Sequence, residues 1–416
     1  MNVIVRCLTL LLVLLPGALG AQQGFSAQRL ERIDRFLQAA VDSARIPGAV
    51  ALVMRDGEVV YERAVGWADR EAGRRMTPGT VFRIASQSKA LTTVAALMLV
   101  EEGRIGLGDP VSRFVPTFAR TTVALRADTG RTMVPARRAI TIRDLLTHTA
   151  GISYGVDASV APRYLAAGLG RAAGFGWYTA DKDEPICATM ERLGTLPMVA
   201  QPGEAFVYGY ATDLLGCIVE RASGTPLDVF IRTRITEPLG MRDTHFYLPT
   251  SERARLAAVY ASDTAGSFVR AEDGARGQGH YVDGPRRSFA GGAGLVSTAR
   301  DYGRFLQMLL NRGTLDGVRL LSPKMVTVMT SNQTGALYTQ DGQGFGFGFY
   351  TVERPGGAGL ATVGSYGWGG AYGSTYLVDP AEGLVVLFMI QQLPNRSDVP
   401  AKYPVLVYQA LEAPRH

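Results

Sequence analysis

The sequence predicts an α/β (α+β) protein: one antiparallel sheet, flanked by helices, assembled from both ends of the chain, with an all-helical lobe inserted between them. Three observations predict it. Strand-like apolar runs lie near residues 48–69 and again after about 340. Between about 107 and 280 the chain reads as helical pieces broken by Gly, Pro and Asp loops, and a strongly apolar helix follows the first strands directly. The sheet lobe is expected over about 22–85 and 285–416, and the helical lobe over about 86–284.

The first residues, MNVIVRCLTLLLVLLPGALGAQQ, place Arg6 before an apolar run broken by Pro16, with Ala18 and Gly20 spaced for cleavage before Ala21. Residues 1–21 therefore read as an export signal, because the run falls short of the ~20 residues a membrane span needs. No later stretch is apolar enough for a stable span. In SAQRLERIDRFLQAAVDSARI, Leu30, Ile33, Phe36, Leu37 and Val41 recur at helical spacing behind Ser26, a candidate N-cap. GAVALVMRDGEVVYERAVGWAD then reads as two strands joined at Asp56-Gly57. LTTVAALMLVEEGRIG is a mostly apolar helix ending at Gly103 or Gly106. Near the C-terminus, STARDYGRFLQMLLNRG reads as a helix. FGFGFYTVE, GGAYGSTYLVDP and EGLVVLFMIQQ read as strands, and VLVYQALE as a closing helix.

Composition excludes several functions. The formal net charge of +6 is spread along the chain, with no basic block interleaved with aromatics, so no nucleic-acid surface is expected. There is no H-E-x-x-H, no clustered cysteine set and no phosphate-cradling or dinucleotide-binding glycine motif, so neither metal nor cofactor is expected. Cys7 leaves with the signal. Cys187 and Cys217 are able to pair in an oxidising compartment, but the run LLGCIV around Cys217 favours a buried free thiol. The sequence carries no indication of oligomeric state.

The chemistry is concentrated in three short stretches. Of 43 Lys and Arg residues only four are lysine, and Lys89 stands in IASQSKA at the start of the apolar helix, three residues after Ser86. Serine and lysine at that spacing share one helix face, and an enclosed amine can take a hydroxyl proton where a guanidinium cannot. PGEAFVYGYATDLLGCIVE sets Tyr208 and Tyr210 just before another apolar helix. A tyrosine beside a cationic lysine can shuttle protons, although a tyrosine before a helix is more often a core residue. SYGWGGAYGSTYLVDP follows Trp368 with Gly369 and Gly370, which allow close approach of another backbone. A fourth stretch, Gly151-Ile152-Ser153-Tyr154-Gly155, fits G-x-S-x-G, yet its flanks read as helix and loop rather than strand and helix, so Ser153 is set aside. His148 reads as a structural residue after a helix.

In order and spacing, Ser86-x-x-Lys89, Tyr208-x-x and Trp368-Gly369-Gly370 resemble the serine β-lactamase and penicillin-binding superfamily, in its class C-like branch. The likeness covers nearly the whole chain after the signal. Two departures stand out. Tyr210 occupies the place of the usual asparagine of Tyr-x-Asn, and Trp368-Gly369-Gly370 replaces Lys-Thr-Gly. Loss of the amide-gripping asparagine and the carboxylate-binding lysine leaves acylation machinery without an anion grip, which is similar to the family VIII carboxylesterases. The resemblance implies a β-lactamase/DD-peptidase-like fold and short-chain ester hydrolysis through an acyl-enzyme. It implies Ser86 as nucleophile, Lys89 as base and Tyr208 as proton relay. The backbone amides of Ser86 and Ala371 would be oxyanion donors, with Trp368, Gly369, Gly370 and Tyr210 around a small-molecule ester or amide substrate. A β-lactamase, DD-peptidase or D-amino-acid amidase of the same fold is the nearest alternative, and an acylated sensor that does not turn over is a more distant one. The loop aromatics Tyr154, Phe175, Trp177, Tyr178, Tyr281 and Phe289 suggest an apolar cleft.

Overall fold

The structure, a computed structural model, describes residues 24–127, 130–169, 182–262, 268–272 and 279–415. The export signal read over residues 1–21 and the loop aromatics Phe175, Trp177 and Tyr178 lie outside them.

Helix α1, Ala27–Asp42, leads into strands β1, Gly48–Arg55, and β2, Glu58–Asp69. Asp56 and Gly57, which connect these strands, have φ values of 52° and 89°, the double left-handed geometry that suits a tight hairpin. Ser26 holds the N-cap position of α1 but makes no side-chain cap bond. Its backbone N–H instead donates to the Ala410 carbonyl at 2.9 Å, tying the two ends of the chain together. A two-residue strand β3, Arg74–Arg75, ends this segment.

Helix α2, Ser88–Glu101, is buried on every side from Ser88 to Leu99, as a helix without a polar face must be. Helix α3, Ala211–Ser223, packs against it. Helix α4, Ala299–Leu310, then returns the chain to strands β4, Gln343–Phe345, β5, Tyr350–Val352, β6, Tyr366–Gly369, β7, Thr375–Asp379, and β8, Leu384–Ile390. Helix α5, Val399–Ala410, closes the chain.

The sheet order is β4-β5-β6-β7-β8-β1-β2-β3, antiparallel throughout. The first strand lies against the last, with Ala49 opposite Ile390 and Arg55 opposite Leu384. Every residue of β1 is buried because both faces of the sheet are covered. Val50, Leu52 and Met54 join the core shared with α2, α3 and α4, while Ala49, Ala51 and Val53 join a second core under α1 and α5.

The structure departs from expectation in the inserted lobe and in the closing helix, and it divides FGFGFYTVE between the paired strands β4 and β5. The inserted lobe is not all-helical: Thr122–Ala127 pairs antiparallel with Gly130–Pro135, and Tyr260–Ser262 with Phe268–Arg270. The segment TTVALRA opens with three consecutive β-branched residues, Thr121, Thr122 and Val123, a strand signal without the alternation that would have marked it. The closing helix starts at Val399, six residues earlier than the apolar run suggests. Pro400 sits in its first turn, where no N–H is needed, and Pro404 forfeits one helical bond. Burial of Val399, Tyr403, Val407 and Ala410 at helical spacing offsets that loss.

Candidate active site

Ser86 lies in a tight 3-10 turn, Ala85–Gln87, that runs straight into α2. The residue before it, Ala85, is held at a φ of 45°, a left-handed conformation that a non-glycine residue adopts only when its surroundings enforce it. Close approach of the hairpin after β6 helps enforce it. A Cβ on Gly370 would meet the Ile84 carbonyl oxygen at 2.6 Å, so only glycine lets this hairpin pass so near the serine turn. Ala371 follows and lines the same cavity as Ser86.

Lys89 is 1 % exposed, and its amine is fully engaged. Nζ lies 2.7 Å from the Gly292 carbonyl, 2.9 Å from the Tyr154 hydroxyl and 3.3 Å from Ser86 Oγ, three oxygens around one amine. Gly292 is itself fixed by α3, its N–H donating to Asp213 Oδ1 at 3.2 Å. A Cβ on Gly292 would lie 2.3 Å from the Asp213 carboxylate. Thr92 Oγ1, one turn along α2 from Lys89, donates to the neighbouring Gly291 carbonyl at 2.9 Å. The loop thus brings its carbonyl to the lysine under control from both α2 and α3.

Tyr208 stands on the other side of the amine. Lys89 Nζ lies 4.7 Å from the Tyr208 ring centroid, a cation–π distance. Tyr208 is wrapped by the rings of His148 at 4.7 Å, Trp368 at 5.5 Å and Tyr154 at 5.8 Å. Its hydroxyl accepts the indole N–H of Trp368 at 3.2 Å. His148 is buried, with Nδ1 lacking a partner among the described residues. Burial, reinforced by the positive charge of Lys89, holds its pKa down to about 3.

The structure thus brings Ser86, Lys89, Tyr208, Trp368, Gly369, Gly370 and Ala371 to one place, and all but Lys89, which reaches the Ser86 hydroxyl at 3.3 Å, line a cavity of about 690 Å3. Tyr210 is not brought there. It is fully buried, its ring edge-on to Tyr154 at 5.0 Å, because the turn before α3 directs it into the core. Ser153 is 2 % exposed and its hydroxyl accepts the Gly155 N–H at 3.0 Å, so it caps its own loop. Tyr281 packs in a small cluster with Val81 and Leu248, Phe289 packs against Phe246 and Tyr247, and neither lines the cavity.

Sequence reasoning missed Tyr154 as a direct partner of the lysine, and its signal lay in the glycines around it. A Cβ on Gly151 would meet the Ala200 carbonyl at 2.1 Å, and one on Gly209 would meet the Ile152 carbonyl at 2.3 Å. The G-x-S-x-G pattern here serves close backbone packing that delivers Tyr154 to Lys89. The other correction is covalent: Cys187 and Cys217 form a disulfide, joining the helix Ile186–Leu193 to α3. The apolar run around Cys217 reflects the burial of the bond itself.

A hydroxyl and a phenol lining one cavity, with an amine against both, are the parts of nucleophilic acyl transfer. The sequence model described as Beta-lactamase matches residues 33–410. Esterase EstB of Burkholderia gladioli is 35% identical over 88% of this chain and 91% of that protein. Lovastatin esterase of Penicillium rubens is 32% identical over 89% of this chain and 95% of its own length. Among solved structures, EstCE1, described as a hydrolase with promiscuous acyltransferase activity, superposes with a TM-score of 0.76 at 29% identity, covering 93% of this chain and 99% of EstCE1.

Proposed function

The chain belongs to the β-lactamase family, as a serine hydrolase of that fold, and from this premise we propose that it is an exported carboxylesterase working through a Ser86-Lys89-Tyr208 acyl-enzyme mechanism. Lys89 acts as the neutral amine: the Ser86 hydroxyl donates to Nζ along their 3.3 Å contact, and Ser86 Oγ attacks the ester carbonyl as that proton passes to the amine. The oxyanion so formed is held by the backbone N–H groups of Ser86 and Ala371. Tyr208 carries a proton to the departing alcohol, and water then enters by the reverse of these steps to release the acid. The engagement of Lys89 with Ser86 Oγ supports its part, and the position of Tyr208 against the same amine supports the relay.

One observation carries the choice of ester over β-lactam or peptide. No charged side chain is among the described residues lining the cavity, and Trp368 stands where the resemblance places a carboxylate-binding lysine. A substrate carboxylate would be desolvated there without a cation to receive it. Export is supported by the leader-like first 21 residues and by the Cys187–Cys217 bond, which suits an oxidising compartment.

The test is a substrate panel of p-nitrophenyl butyrate, nitrocefin and a D-Ala-D-Ala peptide, run on the protein and on its Ser86→Ala and Ser153→Ala variants. Butyrate is expected to be turned over fastest, with activity lost in Ser86→Ala and kept in Ser153→Ala. Nitrocefin or peptide turnover equal to that of the ester would overturn the assignment.

A further inference from the structure

The cavity above Ser86 does not stop at the residues that do chemistry. It continues past Gly369 and Thr375 onto the outer face of the sheet, where Leu377, Val386 and Phe388 form its floor. Its walls there are Leu360, from the loop between β5 and β6, and Pro404 and Val405 of α5. The opening follows from strand alternation. Tyr366 and Trp368 of β6 point to the inner core, so Gly367 and Gly369 leave the outer face without side chains. A Cβ on Gly369 would meet only Ser374 O at 2.9 Å and Thr375 Cγ2 at 3.5 Å. At the mouth, Leu360 is 57% and Val405 41% exposed, two large apolar side chains wetted on one side.

A volume of about 690 Å3 is within the range that buries a drug-sized ligand, and a butyryl group would leave most of it empty. The lining formed by the described residues is uncharged and largely apolar, so it fits neither a sugar nor a peptide. We propose that this groove holds a long hydrocarbon chain of a neutral ester, the reacting carbonyl lying at Ser86 and the chain running over Gly369 and Thr375 to Leu360 and Val405. The proposal rests on the esterase reading and corrects its short-chain expectation: short esters fit the site, but long ones fill it.

The experiment measures kcat/KM for two ester series, p-nitrophenyl esters from butanoate to dodecanoate and alkyl acetates from butyl to dodecyl, all below their micelle concentrations. In the series whose chain enters the groove, kcat/KM should rise about threefold to fourfold per added methylene, the equivalent of ~0.8 kcal/mol, before levelling off. The two series tell whether the chain belongs to the acyl or the alcohol side. The double variant Leu360→Glu/Val405→Glu should cut the octyl-to-butyl ratio at least tenfold. A flat profile in both series, or a rise that the double variant leaves intact, overturns the groove. Absence of turnover for every ester would instead defeat the esterase reading. The groove is then judged by calorimetric binding of octyl 4-nitrophenyl ether, which should weaken at least tenfold in the double variant and whose equal binding to both proteins would overturn it.

Discussion

The indole N–H of Trp368 donates to the hydroxyl oxygen of Tyr208 across 3.2 Å, which adds a directed bond to the ring packing between the strand end and the turn before α3. Because the indole only donates, the phenol keeps its own proton free for another acceptor. Trp368→Phe retains the ring that packs edge-on to Phe345 at 5.3 Å but removes the donor. The expected result is a fall in kcat/KM of about threefold to tenfold, the worth of a neutral hydrogen bond, with an unchanged melting temperature. Wild-type kinetics in this variant would show that the bond does not orient Tyr208.

Lys89 sits among three oxygens with 1 % of its surface exposed. A guanidinium keeps the charge but neither fits that arrangement nor yields a proton. Lys89→Arg is expected to lose about a hundredfold or more in kcat/KM, the lower range for removal of a general base, while circular dichroism shows a folded protein. A folded arginine variant with substantial activity would mean that the lysine acts only as a charge.

Two tyrosines compete for the relay. Tyr154 holds the direct bond to the amine, whereas Tyr208 holds the indole bond and turns its ring face to the amine. Tyr208→Phe should lower kcat about a hundredfold, and Tyr154→Phe, which costs only a positioning bond, about tenfold. Reversal of that order in steady-state kinetics would transfer the relay to Tyr154.

His148 links pH to stability. Burial and Lys89 hold its pKa down to about 3 against an ordinary value of 6.5. The folded protein therefore binds a proton there less readily than the unfolded chain. Its contribution is fully present above pH 6.5 and is lost as pH falls from 6.5 toward 3. His148→Asn suits the φ of 54° at this position and removes the titrating group. Its melting temperature should fall less between pH 7 and pH 4.5 than that of the wild type. Parallel declines in the two proteins would place the acid sensitivity elsewhere.

The Cys187–Cys217 bond closes a loop of sequence separation 30 that contains Tyr208. In the chain-entropy account it stabilises the protein by roughly 3 to 4 kcal/mol. Cys187→Ser/Cys217→Ala should unfold at correspondingly lower urea concentration, as should the wild type after reduction. Identical midpoints with and without reductant would show that the bond carries no stability.

Ser86 and Lys89 were legible because both lie on one turn, where spacing alone fixes their relation. Gly370 was legible because a close backbone approach leaves glycine in the sequence. Tyr154 was not, since its loop has no periodicity and its partner is 65 residues away. Tyr210 was misread for a related reason: a tyrosine before a helix looks the same whether the turn sends it to the cavity or to the core. The disulfide hid behind apolar neighbours that would equally bury a free thiol. The start of α5 was hidden by prolines, whose local cost is offset by burial against strands far away in sequence.

The pairing of β1 with β8 sets the order in which this molecule can be made. Residue 49 waits for residue 390, so the central sheet cannot close while the chain is still being synthesised, and the contacts that complete it are among the most distant in sequence. Chains dominated by such contacts fold slowly. Newly made protein therefore passes through a stage in which β1 and β2 form a hairpin whose apolar first strand has an open edge. A binder of unpaired strands would find its target there, and only there, because in the finished molecule that edge is covered by the last strand to arrive.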